Sequence, residues 1–126
     1  MKTRIGAALL AVAVGLGGVL AVGSADAAKK KRKPTRLSIK ADPNGGLSFT
    51  KATLNARHGV VIITMKNPAT SGLPHGVGIR GKAAGKIVNP GRSSRVQVRL
   101  KRGTYTFYCP FDGHAAAGMK GTLTVK

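Results

Sequence analysis

The chain has no glutamate and no tryptophan, three aspartates in all, and a single cysteine among 126 residues. With one cysteine it closes no internal disulfide, so its fold must be held by a core or by something bound to it. Three acids against 22 lysines and arginines give a formal charge of +19, and a chain so charged attracts acidic proteins, anionic membranes, cell-wall polymers or nucleic acid. No stretch of the chain beyond the amino terminus is long and periodic enough to be read as a helix, and there is no internal repeat.

The amino terminus is read apart from the rest. Lys2 and Arg4 precede the apolar run "IGAALLAVAVGLGGVLAVG", and "SADA" follows it with Ala25 and Ala27 at the small-residue positions that a signal peptidase needs. Residues 1–27 are therefore expected to be a secretory signal peptide cleaved after Ala27. The alternative is that the nineteen residues from Ile5 to Gly23 stay as a membrane anchor, for which their many Gly and Ala residues are poorly suited. No cysteine lies near the cleavage site, which excludes a lipid attached there. Cleavage leaves 99 residues with a formal charge of +18, enough for one small domain with one modest core. Export to a periplasm, cell envelope or extracellular space follows, and no nucleic-acid partner is expected there. In such a compartment a spare thiol at Cys109 is a liability unless it is buried or bound.

Residues 28–36, "AKKKRKPTR", are a basic, proline-containing tail without apolar periodicity and are expected to be flexible. The tail reads as a solubilising terminus or as a tether to an anionic membrane or cell-wall surface. From Leu37 to Lys126 the pattern is of short β segments: "RLSIK", "LSFTKATL", "VVIITMK", "HGVGIR", "RVQVRLK", "TYTFYC" and "GTLTVK". Turn chemistry separates them in "DPNGG", "ARHG", "NPATSGLP", "GKAAG", "NPGRS" and "KRG". Val96, Val98 and Leu100 alternate with Arg95, Gln97, Arg99 and Lys101, as a strand with one core face and one solvated face does in an antiparallel sheet. Seven to eight such strands in about a hundred residues predict an all-β, Greek-key β-sandwich.

The chemistry gathers in "YCPFDGHAAAGMKGTLTVK". Cys109, His114 and Met119 follow one another with four residues in each gap, a spacing that a loop between strands can fold to one point. A thiolate, an imidazole and a thioether form a soft to borderline set that favours copper over magnesium, calcium or manganese. Zinc sites are richer in cysteine and histidine and leave no place for methionine. A further ligand must come from His58 or His75. His58 sits in the basic turn "NARHGVV" and reads as a solvent-exposed turn residue. His75, in "SGLPHGVGI", opens a strand after a proline that restrains it. Two histidines, a cysteine and a weak axial methionine make the trigonal copper site of electron-transfer proteins. Singly, each of these residues is as well explained by packing, Cys109 as a small core residue and Met119 as a gap filler.

The segment "YTFYCPFDGHAAAGMKGTLTVK" resembles the carboxy-terminal copper loop and last strand of the cupredoxins, the family of plastocyanin, azurin, amicyanin and rusticyanin. Its loop length is similar to that of rusticyanin, and "LPHGVGI" resembles the strand of the first histidine ligand, so the likeness runs from Leu37 to Lys126. The resemblance implies a type 1 copper ion held by His75, Cys109, His114 and Met119, single-electron transfer, and no enzymatic activity. It also implies an electron port at the edge of His114, within an apolar rim of Leu73, Pro74, Phe111 and Ala115 to Ala117. The family usually places an asparagine directly after the first histidine ligand, where it ties the two ligand loops together by hydrogen bonds. Here that position is Gly76, which bears on the stiffness of the site and not on its ligands. A monomer is expected, docking briefly with an acidic redox partner. Copper storage, sensing or delivery with the same ligands is the alternative, and a module that binds polyanions through its lysines and arginines is a second one.

Overall fold

The computed structural model describes residues 31–126, and the expected signal peptide lies outside them. Eight strands follow in order: β1 (Thr35–Lys40), β2 (Thr53–Ala56), β3 (Gly59–Lys66), β4 (Gly78–Ile79), β5 (Ala83–Ala84), β6 (Ser93–Leu100), β7 (Gly103–Tyr108) and β8 (Lys120–Val125). They form two sheets, one ordered β1-β3-β6 and the other β2-β8-β7-β4-β5. The all-β sandwich expected from the sequence is therefore present.

Alternation builds the core. Ile39 of β1, Val61, Ile63 and Met65 of β3, and Val96 and Leu100 of β6 are buried from one sheet. Leu54 and Ala56 of β2, Ile79 of β4, Phe107 of β7, and Leu123 and Val125 of β8 meet them from the other. On β6 every second residue points to solvent, as Arg95, Gln97 and Arg99 do. All buried apolar residues of the described chain fall between Ile39 and Val125, so the core is complete without the tail.

The antiparallel pairing suggested by the alternation on β6 is present, with β3, while β1 pairs with β3, and β2 with β8, in parallel. Each parallel pair arises because the chain passes to the other sheet and back between its members, a crossover that residue alternation does not encode. Three expected element bounds are corrected. The strand expected over "LSFTKATL" forms only from Thr53; upstream, Phe49 makes a lone bridge to Ala41. "GKAAG", taken as a turn, contains the two-residue edge strand β5. Finally, β1 begins at Thr35, so the last two residues assigned to the tail belong to the sandwich; Arg57 N–H donates to Thr35 Oγ across 3.2 Å.

Phe107 is fully buried with its ring 5.6 Å from that of Phe49. A Cβ at Gly121 would run into the Phe107 ring and the carbonyl oxygen of Ala52, so this strand glycine is required by close approach. Urea unfolding of the metal-free protein should show Gly121→Ala less stable by about 1–3 kcal/mol through overpacking. Phe107→Ala should lose roughly 3–5 kcal/mol through the cavity it leaves. Unchanged stability in Gly121→Ala would show that strand β8 does not pack this tightly on β7.

Candidate metal centre

Strand direction puts the chemistry at one end. β7 delivers Cys109 there, β8 departs from it after Met119, and the loop that follows β3 brings His75 back to the same place. Between Cys109 and Met119 the chain folds as stacked turns: His114 N–H donates to Phe111 O, Ala117 N–H to His114 O, and Met119 N–H to His114 O. Gly118, with φ of 116°, makes a reversal that side-chain-bearing residues resist. Cys109 N–H donates to Met119 O across 3.0 Å and clips the loop shut at its base.

The result is a triangle of donor atoms. Nδ1 of His75 lies 3.2 Å from Nδ1 of His114, while Cys109 Sγ is 3.9 Å from the first and 3.6 Å from the second. All three residues are buried, and they form the one cluster of potential metal ligands of this kind among the described residues. A circle through these three atoms has a radius of about 2.1 Å, within the 2.0–2.3 Å range typical of metal–nitrogen and metal–sulfur bonds. The residues therefore fit an ion bound in or near their plane. Met119, at the end of the same loop, is fully buried.

The surroundings prepare these donors. Burial, and secondarily the neighbouring His114, hold the pKa of His75 below its ordinary 6.5, which favours the neutral imidazole that a metal ligand needs. Gly76 N–H donates to Cys109 Sγ across 3.5 Å; since Pro110 has no amide hydrogen, the sulfur takes this bond from the other ligand loop. His75 Nε2 has no hydrogen-bond partner among the described residues. The position of His75 is set by its backbone, which exchanges N–H···O bonds of 3.1 and 2.8 Å with Val88.

Sequence reasoning missed what holds the His75 loop. Asn67, fully buried, donates through Nδ2 to Leu73 O at 2.8 Å and to Val88 O at 3.0 Å, and its Oδ1 accepts from the Ser71 hydroxyl. Its backbone also bonds to Arg92 O and Gly91 N–H. Ser94, likewise buried, donates to Lys86 O at 2.6 Å and accepts from Val77 N–H. The signal was present in "KNPATSG", a polar stretch directly after an apolar strand, but it reads equally as an ordinary turn. Gly76 is explained as well: a Cβ there would stand 2.8 Å from Lys86 O and 3.1 Å from Ile87 Cδ1. The space an asparagine side chain would fill is taken by the segment after β5, and Asn67 ties the His75 loop to the segment around Val88 instead.

His58 is far from this site. It is half-buried, contrary to the expectation of an exposed turn residue, and its Nδ1 lies 3.1 Å from Lys126 O at the other end of the sandwich. The apolar rim is partly as expected: Phe111 stacks at 4.6 Å from the His114 ring, and Leu73 is exposed.

Two imidazoles and a thiolate converging in a buried trigonal set, joined by a methionine on the same loop of a two-sheet β-sandwich, are the arrangement of a type 1 copper site. The comparison with known proteins agrees: the cupredoxin-like domain family matches residues 11–125, and the chain belongs to it as a blue copper protein whose cofactor is copper. Plastocyanin A/B of Petroselinum crispum is 39% identical over 93 residues, 65% of this chain and 91% of the relative. Auracyanin-B of Chloroflexus aurantiacus is 52% identical over a 40-residue stretch, 31% of this chain and 17% of that longer protein. In three dimensions an auracyanin B structure matches with a TM-score of 0.65 at 25% identity, covering 77% of this chain and 93% of the other.

Replacing Asn67 by Ala removes its amide bonds to the Leu73 and Val88 carbonyls and one acceptor of the Ser71 hydroxyl, while Val88 O keeps the His75 N–H and Leu73 O the Ser71 hydroxyl; three lost hydrogen bonds imply a destabilisation on the order of 2–3 kcal/mol. The same variant should give up copper to a chelator several times faster than the wild type. An unchanged extraction rate alongside the lost stability would confine Asn67 to the fold.

Proposed function

We propose that this chain is an exported single-electron carrier in which His75, Cys109, His114 and Met119 hold one copper ion. The observation that carries the reading is the donor triangle, whose edges of 3.2, 3.6 and 3.9 Å leave each donor about 2.1 Å from a common centre, an ordinary metal–ligand bond length. When bound, copper supplies a one-electron couple between its cupric and cuprous states.

Cys109 would hold the ion as its thiolate, with the Gly76 N–H withdrawing charge from the sulfur. His75 and His114 would bind it through Nδ1, and Met119 would add a weak thioether donor that tunes the potential. His75 has no exposed surface, whereas His114 is 7% exposed. The His114 ring is thus the ligand that reaches solvent, and it serves as the port through which an electron enters and leaves. Phe111 packs on one side of it and the alanines of the loop lie beside it in sequence, which makes a small apolar contact suited to brief docking. Lys120 directly follows Met119, and Lys86 and Arg92 flank the segment in which Val88 pairs with His75; these cations favour an acidic partner.

Four donors leave no coordination position reserved for a substrate, and the remaining histidine, His58, stands at the far end. A carrier acting as a monomer fits this arrangement better than an enzyme. Release of the signal peptide after Ala27 would place it in a periplasm, cell envelope or extracellular space, where burial and a bound ion would protect the thiol of Cys109.

Adding cupric ion to the protein should produce an intense blue thiolate-to-copper band with narrow copper hyperfine splitting. Cys109→Ala should abolish the band, and Met119→Leu should keep the colour while shifting the reduction potential. A Cys109→Ala protein with an unaltered copper spectrum would remove the thiolate, and the carrier reading with it.

A further inference from the structure

Cations occupy both ends of the described chain, but its two aspartates lie at one end only, so the net positive charge is greater at the other. Because β1 runs parallel to β3, and β2 to β8, the first residue of β1, the β2–β3 turn, the β6–β7 turn and the end of β8 all meet at the end opposite the copper site. Lys33, Arg36, Arg57, Arg99, Lys101, Arg102 and Lys126 lie there, and the sequence adds Arg32 and Lys31 just before them. No acid accompanies them. Asp42, just beyond β1, and Asp112, in the copper loop, both fall at the metal end.

This cationic end is also fixed in place. His58 N–H donates to Lys126 O, Lys126 N–H to Ala56 O, and Arg57 N–H to Thr35 Oγ, so the entering segment, the β2–β3 turn and the last residue are bonded together. Strand β7 spans six residues between that end and Cys109, about 20 Å at 3.4 Å per residue. That is about twice the 8–10 Å Debye length at physiological salt, so these charges contribute little to an encounter at His114.

We propose that this end is an adsorption surface for an anionic lipid bilayer, holding the copper end outward toward soluble partners. The cations come from both sheets and are spread over the whole end of the sandwich. Such a planar array suits a planar sheet of headgroups, where a linear polyanion would be met by cations in a row or groove. The chain also enters the domain here, with the apolar run Ile5–Gly23 only a short basic segment upstream, so this end is the one delivered nearest the membrane. The exposed large apolar residues of the described chain, Leu73 and Ile87, belong to the His75 end, so attachment is electrostatic and salt-sensitive.

The test is binding of residues 28–126, which contain the whole core, to vesicles of phosphatidylcholine with about a third phosphatidylglycerol, with and without copper. Each basic residue near an anionic leaflet is worth about fivefold in binding, so Arg57→Gln/Lys101→Gln/Arg102→Gln should weaken it by roughly a hundredfold. Lys66→Gln/Lys86→Gln/Arg92→Gln, which removes the same charge nearer the copper, should weaken it only a few-fold. Equal losses in the two triple variants would overturn the proposal, as would tight binding to soluble polyphosphate with none to vesicles. For the copper-loaded protein, reduction by soluble ascorbate should proceed at the same rate on vesicles as in solution; a tenfold slowing would place the copper end against the bilayer and refute the orientation. Binding needs no copper, so failure here is distinguishable from failure of the electron-carrier reading.

Discussion

Two imidazole nitrogens and a sulfur held within 3.2–3.9 Å of one another in a dry interior are the constraint around which this protein is organised. Three donor atoms so close together in a buried site are well placed to share a single ion. Around them the structure is rigid. Asn67 locks the loop leading to His75, the Val88 pair fixes the backbone of His75, Gly76 meets Cys109, and the Cys109–Met119 bond closes the second loop. Each contact limits the freedom of a donor atom, which lowers the rearrangement needed when the ion changes charge.

The sandwich contributes direction as much as stability. Its strands carry every ligand to one end and gather the termini and two turns at the other, with about 20 Å of sheet between. A small domain thereby separates two tasks. One end has a narrow apolar opening at His114, and the other has a concentration of positive charge without acids.

Much of this was legible in the sequence. Alternation on β6 and the turn residues between segments announced a two-sheet fold, because side-chain direction in a strand follows directly from position. The ligand set was legible too, since a thiolate, an imidazole and a thioether at that spacing converge on one kind of ion. What periodicity does not carry is pairing direction, so the parallel β1·β3 and β2·β8 pairs were not foreseen. Nor did it show that two alanines of "GKAAG" would form an edge strand. Asn67 escaped notice because a buried asparagine bonding three ways and a turn asparagine are written with the same letter. Gly76, a departure from its family in sequence, became intelligible only when the carbonyl of Lys86 was seen where a side chain would stand.

The central claim is that one ion sits among these particular donors, and X-ray absorption at the copper edge addresses it directly. The account predicts two nitrogen scatterers and one sulfur, each about 2.0–2.3 Å from the metal. A copper environment of nitrogen and oxygen atoms alone, with no short sulfur distance, would contradict it.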